Sequence, residues 1–474
     1  MNAYGKSVMR KLRYSFGANI VSLLVSLLTV SVLPKYMTLA DYGIYQLFLF
    51  YFGYVGFLHL GVLGGGIIRY AGCTYFDLDY IALKSQCIIL MGILIILAGV
   101  LCIGNFIFAI FADTTIILLF LVSMFSQHVI WYSISMLQMS NRIEDASRLL
   151  FGERVSWGIL SIAAVVFGYV HAINIIFVYT ITRIFVMLYS LLFIPEIVKA
   201  PIRFTKYVCK EFETNFKVGF PITLSDICSI LIIGIIRFAI SDVWDINVFA
   251  KTSLVLSVTF FFLTFITTAS TVLLPALKQL KDSVSDALYL PLNQLTSCLF
   301  LWSLLLYYPI KLLISFWLPK YGDSLVFMGI LFPILFFESK FNLLIITYLK
   351  KILKTQFIFL INIFSMLLSL LGCIMLCYYF KNLQMSILLI TVILGIRYSV
   401  GELVLGYWLD NKKEKMMKDY IFSILMIIAF EIGILILDSK MSFIMYVLYL
   451  IIYSFLSFDS LKLAWNNLKL VMTE

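Results

Sequence analysis

The chain has 474 residues, 62% of them hydrophobic and only 13% charged, with a formal net charge of +10 and a mean hydropathy of +1.04. No single soluble core hides that much apolar surface, so composition excludes an ordinary water-soluble globular protein and points to an all-α polytopic membrane protein. The basic residues flank apolar stretches instead of forming one patch, which anionic phospholipid headgroups explain and nucleic-acid binding does not.

A basic tail carrying Lys6, Arg10, Lys11 and Arg13 opens the chain. No small-residue cleavage site precedes the end of the first apolar run, so that run is expected to stay as an anchor. Fourteen apolar stretches follow, near 15–33, 43–63, 86–110, 115–138, 155–170, 172–194, 218–240, 248–274, 290–316, 324–348, 356–380, 384–407, 420–437 and 441–459. Most exceed the roughly 17 residues a spanning helix needs. The tail and every second connection carry 25 Lys and Arg, whereas the alternate connections carry five: Lys35, Lys311 at the adjoining helix end, Lys320, Lys381 and Lys440. The positive-inside rule therefore puts both termini in the cytoplasm.

The longest basic connection runs from Pro195 to Lys217, and Pro195 and Pro201 interrupt helix there. It divides the chain into an amino-terminal lobe of six helices over 1–194, a linker over 195–217, a carboxy-terminal lobe of six helices over 218–408, and a last helix pair over 409–474. The stretch from Asp41 to Tyr45 echoes that from Asp245 to Phe249 at an offset of 204, each just before the second helix of its lobe. Such an echo is expected of parallel repeats related by a pseudo-two-fold axis along the membrane normal. Cofactors are not expected: the eight cysteines form no CxxC or metal-ligand spacing, and there is no GxxxxGK[ST] loop. The expected role of His59, His128 and His171 is a packed or hydrogen-bonded one. The outer connections are too short to hold a catalytic domain, so an enzyme such as a membrane glycosyl- or acyltransferase has little to be built from.

Several segments resemble one transporter family. They are Ser15-Phe16-Gly17, Leu33-Pro34-Lys35-Tyr36, Asp41 to Tyr45, Leu60-Gly61 leading to Ile67-Ile68-Arg69-Tyr70, Gly219-Phe220-Pro221 and Leu273-Leu274-Pro275. Over roughly residues 10–410 the chain resembles the Wzx-type polysaccharide flippases of the multidrug/oligosaccharidyl-lipid/polysaccharide exporter superfamily. The resemblance implies a bacterial inner-membrane flippase that carries an undecaprenyl-pyrophosphate-linked oligosaccharide outward, as in O-antigen or lipopolysaccharide assembly. It also implies work alongside a polysaccharide polymerase and chain-length machinery. The same superfamily holds multidrug exporters, the main alternative, and lipid II flippases, in which a last helix pair offers a groove to the lipid tail. The expected oligomeric state is a monomer.

Within the apolar stretches lie Arg183, Arg237, Lys251, Lys340 and Arg397, against Asp226, Glu338, Glu402 and Glu431. Each would cost about 2.5 to 3.5 kcal/mol facing lipid at mid-helix, so each is expected to face protein or a wet cavity. Arg183 and Arg397 lie in the closing helices of the two lobes and are candidates to clamp a pyrophosphate, whose oxygens match a guanidinium in pairs. Arg237 and Arg69 are further candidates, Arg69 with Gly64-Gly65-Gly66 as a phosphate-cradling turn. Asp226, Glu338 and Glu402 are candidates for ion coupling. Lys251 is expected to snorkel. Glu338 and Lys340, two residues apart, point about 200° from each other, so at most one faces a cavity, and Arg397 and Glu402, five apart, diverge by about 140°. The polar run from Ser123 to Gln138 on the fourth helix suits either a sugar path or helix-to-helix hydrogen bonds.

In a cysteine-free background, new cysteines at Asp77 and Lys350 should react with a membrane-impermeant maleimide only after the membrane is opened. Cysteines at Asp113 and Lys381 should react in intact cells.

Overall fold

Backbone crossing hydrocarbon has no water to bond to and must satisfy its amides within its own segment. The chain meets this demand with helices alone, and no strand occurs among the described residues. The computed structural model describes residues 21–108, 111, 113–279, 282–409, 413–456, 458 and 462. The basic tail with Ser15-Phe16-Gly17, and Lys412 of the last basic link, lie outside them. Eleven helices among the described residues are long and apolar enough to cross a bilayer, and a twelfth span forms if one bent pair is counted. Two shorter apolar helices, Val21–Tyr36 and Ser439–Phe455, complete the set. Among the described residues each of the fourteen expected stretches overlaps a helix.

The chain divides into two compact units at Ile227 and Cys228. The first contains α1 (Val21–Tyr36), α2 (Leu39–Phe52), α3 (Val62–Tyr70), α4 (Tyr80–Phe108), α5 (Thr114–Met139), α6 (Ile143–Val166), α7 (Ala172–Leu191), α8 (Pro195–Lys199) and the opening part of α9 (Lys206–Val243). Thr38 caps α2, its hydroxyl accepting from the Asp41 amide at 3.0 Å and donating to the Asp41 carboxylate at 2.7 Å. That carboxylate also accepts from the Ala172 amide at 2.9 Å, which ties the start of α2 to the start of α7. Helix α5 packs against α7 through Ser123 to Thr180 at 2.9 Å and Ser133 to Ser190 at 3.1 Å. Part of the polar run on the fourth span thus serves helix-to-helix bonding.

The second span is not one straight helix. Helices α2 and α3 meet at a 48° bend, where Leu60 (φ 51°) and Gly61 (φ 83°) take left-handed backbone conformations that stop helix propagation. The triglycine that was expected as a phosphate-cradling turn lies inside α3 instead. A Cβ on Gly65 would collide with the Asn215 carbonyl, and one on Gly219 with the Gly61 carbonyl. Bare glycine surfaces therefore let the backbones of α3 and α9 touch, the small-residue packing that hydrocarbon favours. Helix α9 begins at Lys206, so the polar residues from Lys206 to Lys217 continue the helix, and a Glu213–Lys217 pair at 2.5 Å supports it. The connection before it is pinned by Lys84, whose ammonium donates to the carbonyls of Val198 at 2.6 Å and Ala200 at 2.8 Å. In α8, Glu196 accepts from the Tyr75 hydroxyl at 2.9 Å. A backbone amide bond and that hydroxyl hold its carboxyl below the usual carboxylate range.

The second unit contains the rest of α9, then α10 (Ile246–Gln279), α11 (Asp282–Ser303), α12 (Tyr307–Trp317), α13 (Leu325–Leu331), α14 (Ile334–Lys340), α15 (Ile346–Lys351), α16 (Thr355–Cys373), α17 (Leu383–Trp408), α18 (Lys413–Ile436) and α19 (Ser439–Leu456). Its core helix is the tenth span, Pro319–Lys351, of whose most apolar window 78% is buried, against 17% for α4 in the first unit. A buried span can carry charge; α4 carries exposed Ile95, Ile96 and Phe106 instead. Within the tenth span α14 passes into α15 through a π-helical turn, Phe341–Ile345, which advances the helix face just after Glu338 and Lys340.

Gly65→Ala and Gly219→Ala should each destabilise the protein by about 1 to 3 kcal/mol through overpacking of the α3–α9 crossing. Gly64→Ala, with nothing within 4 Å of its Cβ position, should be neutral or stabilising. Thermal unfolding in detergent measures both.

Candidate functional site

Arg69, Arg183 and Arg397 are each held by a carboxylate of their own unit. In the first unit α6 starts well before the apolar stretch near 155, and this carries Glu153 into the helix. Ala146, Leu149, Glu153, Trp157, Ser161 and Ala164 then share one buried face at helical spacing. Arg183, on α7 and 8% exposed, forms an ion pair there with Glu153. Its second amino group donates to the Tyr179 hydroxyl at 2.6 Å, and the guanidinium lies 4.5 Å from the Tyr179 ring centre. Glu153 is the partner of Arg183 that hydropathy misses, because it sits just outside the apolar window. The spacing of its neighbours on α6 is the signal that finds it.

Arg69, at the end of α3, reaches α9. It donates to Glu211 at 2.9 Å and to the Asn215 side-chain carbonyl at 2.6 Å, while the Tyr70 hydroxyl bonds the same Glu211 carboxylate. Asn215 donates in turn to Gln86 of α4 at 2.9 Å. This polar clamp joins α3, α4 and α9. It gives Arg69 side-chain partners on α9, Glu211 and Asn215.

In the second unit Arg397, 2% exposed on α17, is the centre of a four-helix socket. It donates to Glu338 of the tenth span at 2.5 Å, to the Asn362 carbonyl oxygen of α16 at 2.9 and 3.1 Å, and to the Ser229 hydroxyl of α9 at 2.8 Å. The Phe341 ring, set by the π turn, lies 3.9 Å from its guanidinium carbon. A substrate candidate and a coupling candidate are therefore bonded to one another. Glu402 is elsewhere, accepting from Tyr289 at 2.7 Å and Tyr398 at 3.1 Å. Lys340 is fully buried and donates to the Asn293 main-chain carbonyl at 2.7 Å, to Ser297 at 2.9 Å and to Thr296 at 3.2 Å, with the Asn293 side chain as a further partner.

The remaining candidates are scattered. Arg237 donates to Ser253 at 3.0 Å beside the Phe249 ring. Asp226 is exposed on α9. Lys251, expected to snorkel, forms an ion pair with Asp323 at 3.0 Å. Glu431 on α18 has both carboxyl oxygens buried without a hydrogen-bond partner among the described residues. Within each unit the two arginines have separate partners. Arg69 and Arg183 in the first unit and Arg397 in the second are held by carboxylates, and Arg237 in the second by a serine hydroxyl.

Breaking one of these pairs leaves a buried lone charge. Arg183→Ala and Glu153→Ala should each lower stability by about 3 to 5 kcal/mol, and the double variant by clearly less than the sum of the two. A double-mutant cycle on thermal unfolding reads the difference.

No family model and no curated protein sequence matches the chain. Solved structures do. A lipid II flippase, MurJ, in an inward-closed conformation aligns over 95% of this chain and 99% of its own, with a TM-score of 0.67 at 16% identity. An inward-facing multidrug resistance MATE family transporter of the MOP superfamily aligns over 84% of this chain and 99% of its own, with a TM-score of 0.50 at 13% identity. A MATE protein in complex with MaD3S aligns over 86% and 96%, with a TM-score of 0.50 at 13% identity. At these identities the likeness is one of fold: the chain is an all-α polytopic membrane protein with the architecture of MurJ and the MATE transporters.

Proposed function

We propose that the protein is a flippase that carries a lipid-linked oligosaccharide diphosphate from the cytoplasmic to the outer leaflet of a bacterial inner membrane by alternating access. The observation that carries this reading is the extent of the likeness to a lipid II flippase, which takes in 95% of the chain where MATE proteins take in 84 to 86%. The interior chemistry supports it too, since each unit keeps a guanidinium in reserve on a carboxylate. An incoming diphosphate competes with Glu153 for Arg183 and with Glu338 for Arg397, and it offers planar donors a second set of paired oxygens. Arg69 and Arg237 are further contacts for the diphosphate or its sugars.

Coupling follows from the same pairs. A proton taken up by Glu338 cancels its charge and frees Arg397 for the cargo; loss of that proton restores the pair and expels the phosphate. Glu402 and Asp226 are the other coupling candidates. The membrane potential adds about 2.3 kcal/mol per charge per 100 mV to outward movement of an anion. The lipid tail stays in the bilayer throughout. Both termini lie in the cytoplasm, a monomer performs the cycle, and a polysaccharide polymerase with its chain-length machinery receives the product. The second reading, a cation-coupled multidrug exporter, draws on the MATE likeness at a TM-score of 0.50.

Purified protein in liposomes should move a fluorescent undecaprenyl-pyrophosphate oligosaccharide between leaflets. Arg183→Ala and Arg397→Ala should each reduce the rate at least tenfold, and Glu338→Gln should leave transport that no longer responds to a proton gradient. Movement of lipophilic cations with no movement of the lipid-linked sugar would establish the exporter instead.

A further inference from the structure

We propose that His59 and His128 form a proton-binding pair that controls the break in the second membrane span. His59 lies in the break itself, between α2 and α3. Its Nδ1 accepts a hydrogen bond from the Gly61 amide at 3.0 Å. A nitrogen that accepts carries no proton, so the ring proton of neutral His59 sits on Nε2. Gly61 is buried, and its φ of 83° follows a Leu60 φ of 51°. This imidazole is the acceptor the structure gives to the Gly61 amide at the first turn of α3.

His128 faces it from the middle of α5, fully buried. Its Nδ1 lies 2.8 Å from the Met124 carbonyl oxygen, which can only accept, so this ring is protonated on Nδ1. Its Nε2 is then a bare lone pair, buried and without a partner among the described residues. The two rings sit in T-shaped contact with centroids 6.4 Å apart. The neutral pair thus holds opposite tautomers, one ring with an outward N–H and the other with an unused acceptor. An orphaned acceptor in the interior costs free energy and calls for a donor.

One added proton changes the contact between the rings. Bonded to His59 Nδ1 from water, it turns that ring into an imidazolium, whose existing Nε2–H becomes a charge-assisted donor; a shift of the released ring from its 6.4 Å centroid separation then brings that donor to the vacant Nε2 of His128. No covalent bond breaks. The hydrogen bond to the Gly61 amide is lost, because Nδ1 is now a donor facing a donor. The left-handed link that joins α2 to α3 loses its fastening, and α3 carries Arg69 and the glycine crossing to α9. From α5, His128 is set against His59. The α9 residues at the crossing, Gly219 and Phe220, carry no charge, and no Asp, Glu, Lys or Arg among the described residues acts on either ring. The proposal stands apart from the identity of the cargo.

The chain has only three histidines, and the third, His171, is largely exposed, so nitrogen NMR of histidine-labelled protein in nanodiscs resolves them. Near neutral-to-basic pH, His59 should be the Nε2–H tautomer and His128 the Nδ1–H tautomer. On acidification to about pH 5 His59 should become an imidazolium while His128 stays neutral. Amide exchange in segment 57–63, corrected for its intrinsic pH dependence, should rise on the order of tenfold, the loss of one hydrogen bond. In His59→Asn the side-chain oxygen can take the Gly61 amide but cannot titrate, and the rise should vanish. Equal tautomers on the two rings, a His59 that stays neutral at about pH 5, or an exchange rise that persists in His59→Asn would each overturn the proposal. If that variant does not fold, the tautomers of the unmodified protein decide alone.

Discussion

A charge inside hydrocarbon has to be met by another charge, by dipoles or by water, and most of this interior is arranged around that need. Arg183 finds Glu153 and Tyr179; Arg397 finds Glu338, Asn362 and Ser229. Lys340 is met by neutral oxygens alone. Taking such ions from water costs several kcal/mol apiece, and their mutual attraction offsets this only where further hydrogen bonds fill the remaining positions. Packed apolar residues would be as stable. What the ion pairs add is a pair of alternatives, because a guanidinium released from one carboxylate is ready for another anion. Conformational change in a transporter needs interior contacts of that exchangeable kind.

Much of this was legible in the sequence. Among the described residues each of the fourteen apolar stretches overlaps a helix, since backbone in hydrocarbon must satisfy its own amides. Glu338 and Lys340 turn to different partners, Arg397 and Asn293, as their two-residue separation requires. Arg397 and Glu402 diverge likewise. Residues close together on one helix are the ones whose relative direction the chain determines by itself.

What stayed hidden is the pairing between helices. Glu153 and Glu211 lie outside the apolar windows, so hydropathy assigned them to connections, while helix continuation carries both to interior arginines. The triglycine read as an exposed turn is a contact face, because nothing local distinguishes a glycine that frees the chain from one that lets a neighbour approach. The bend in the second span has the same origin. Its apolar run is continuous, yet the α-helix stops at Phe52 and resumes at Val62 after a 3-10 turn and the left-handed Leu60 and Gly61.

The tenth span has a consequence for how the protein is made. A segment holding both Glu338 and Lys340 enters the bilayer poorly on its own, yet it is the most enclosed helix of its unit. Asn293 and Ser297, which receive the ammonium, have already been synthesised when it emerges from the ribosome. Arg397 follows 59 residues later. During that interval the carboxyl group has no cationic partner, so membrane integration of the tenth span is expected to be completed only when the twelfth arrives, and biogenesis of this half is cooperative across three helices instead of proceeding one at a time.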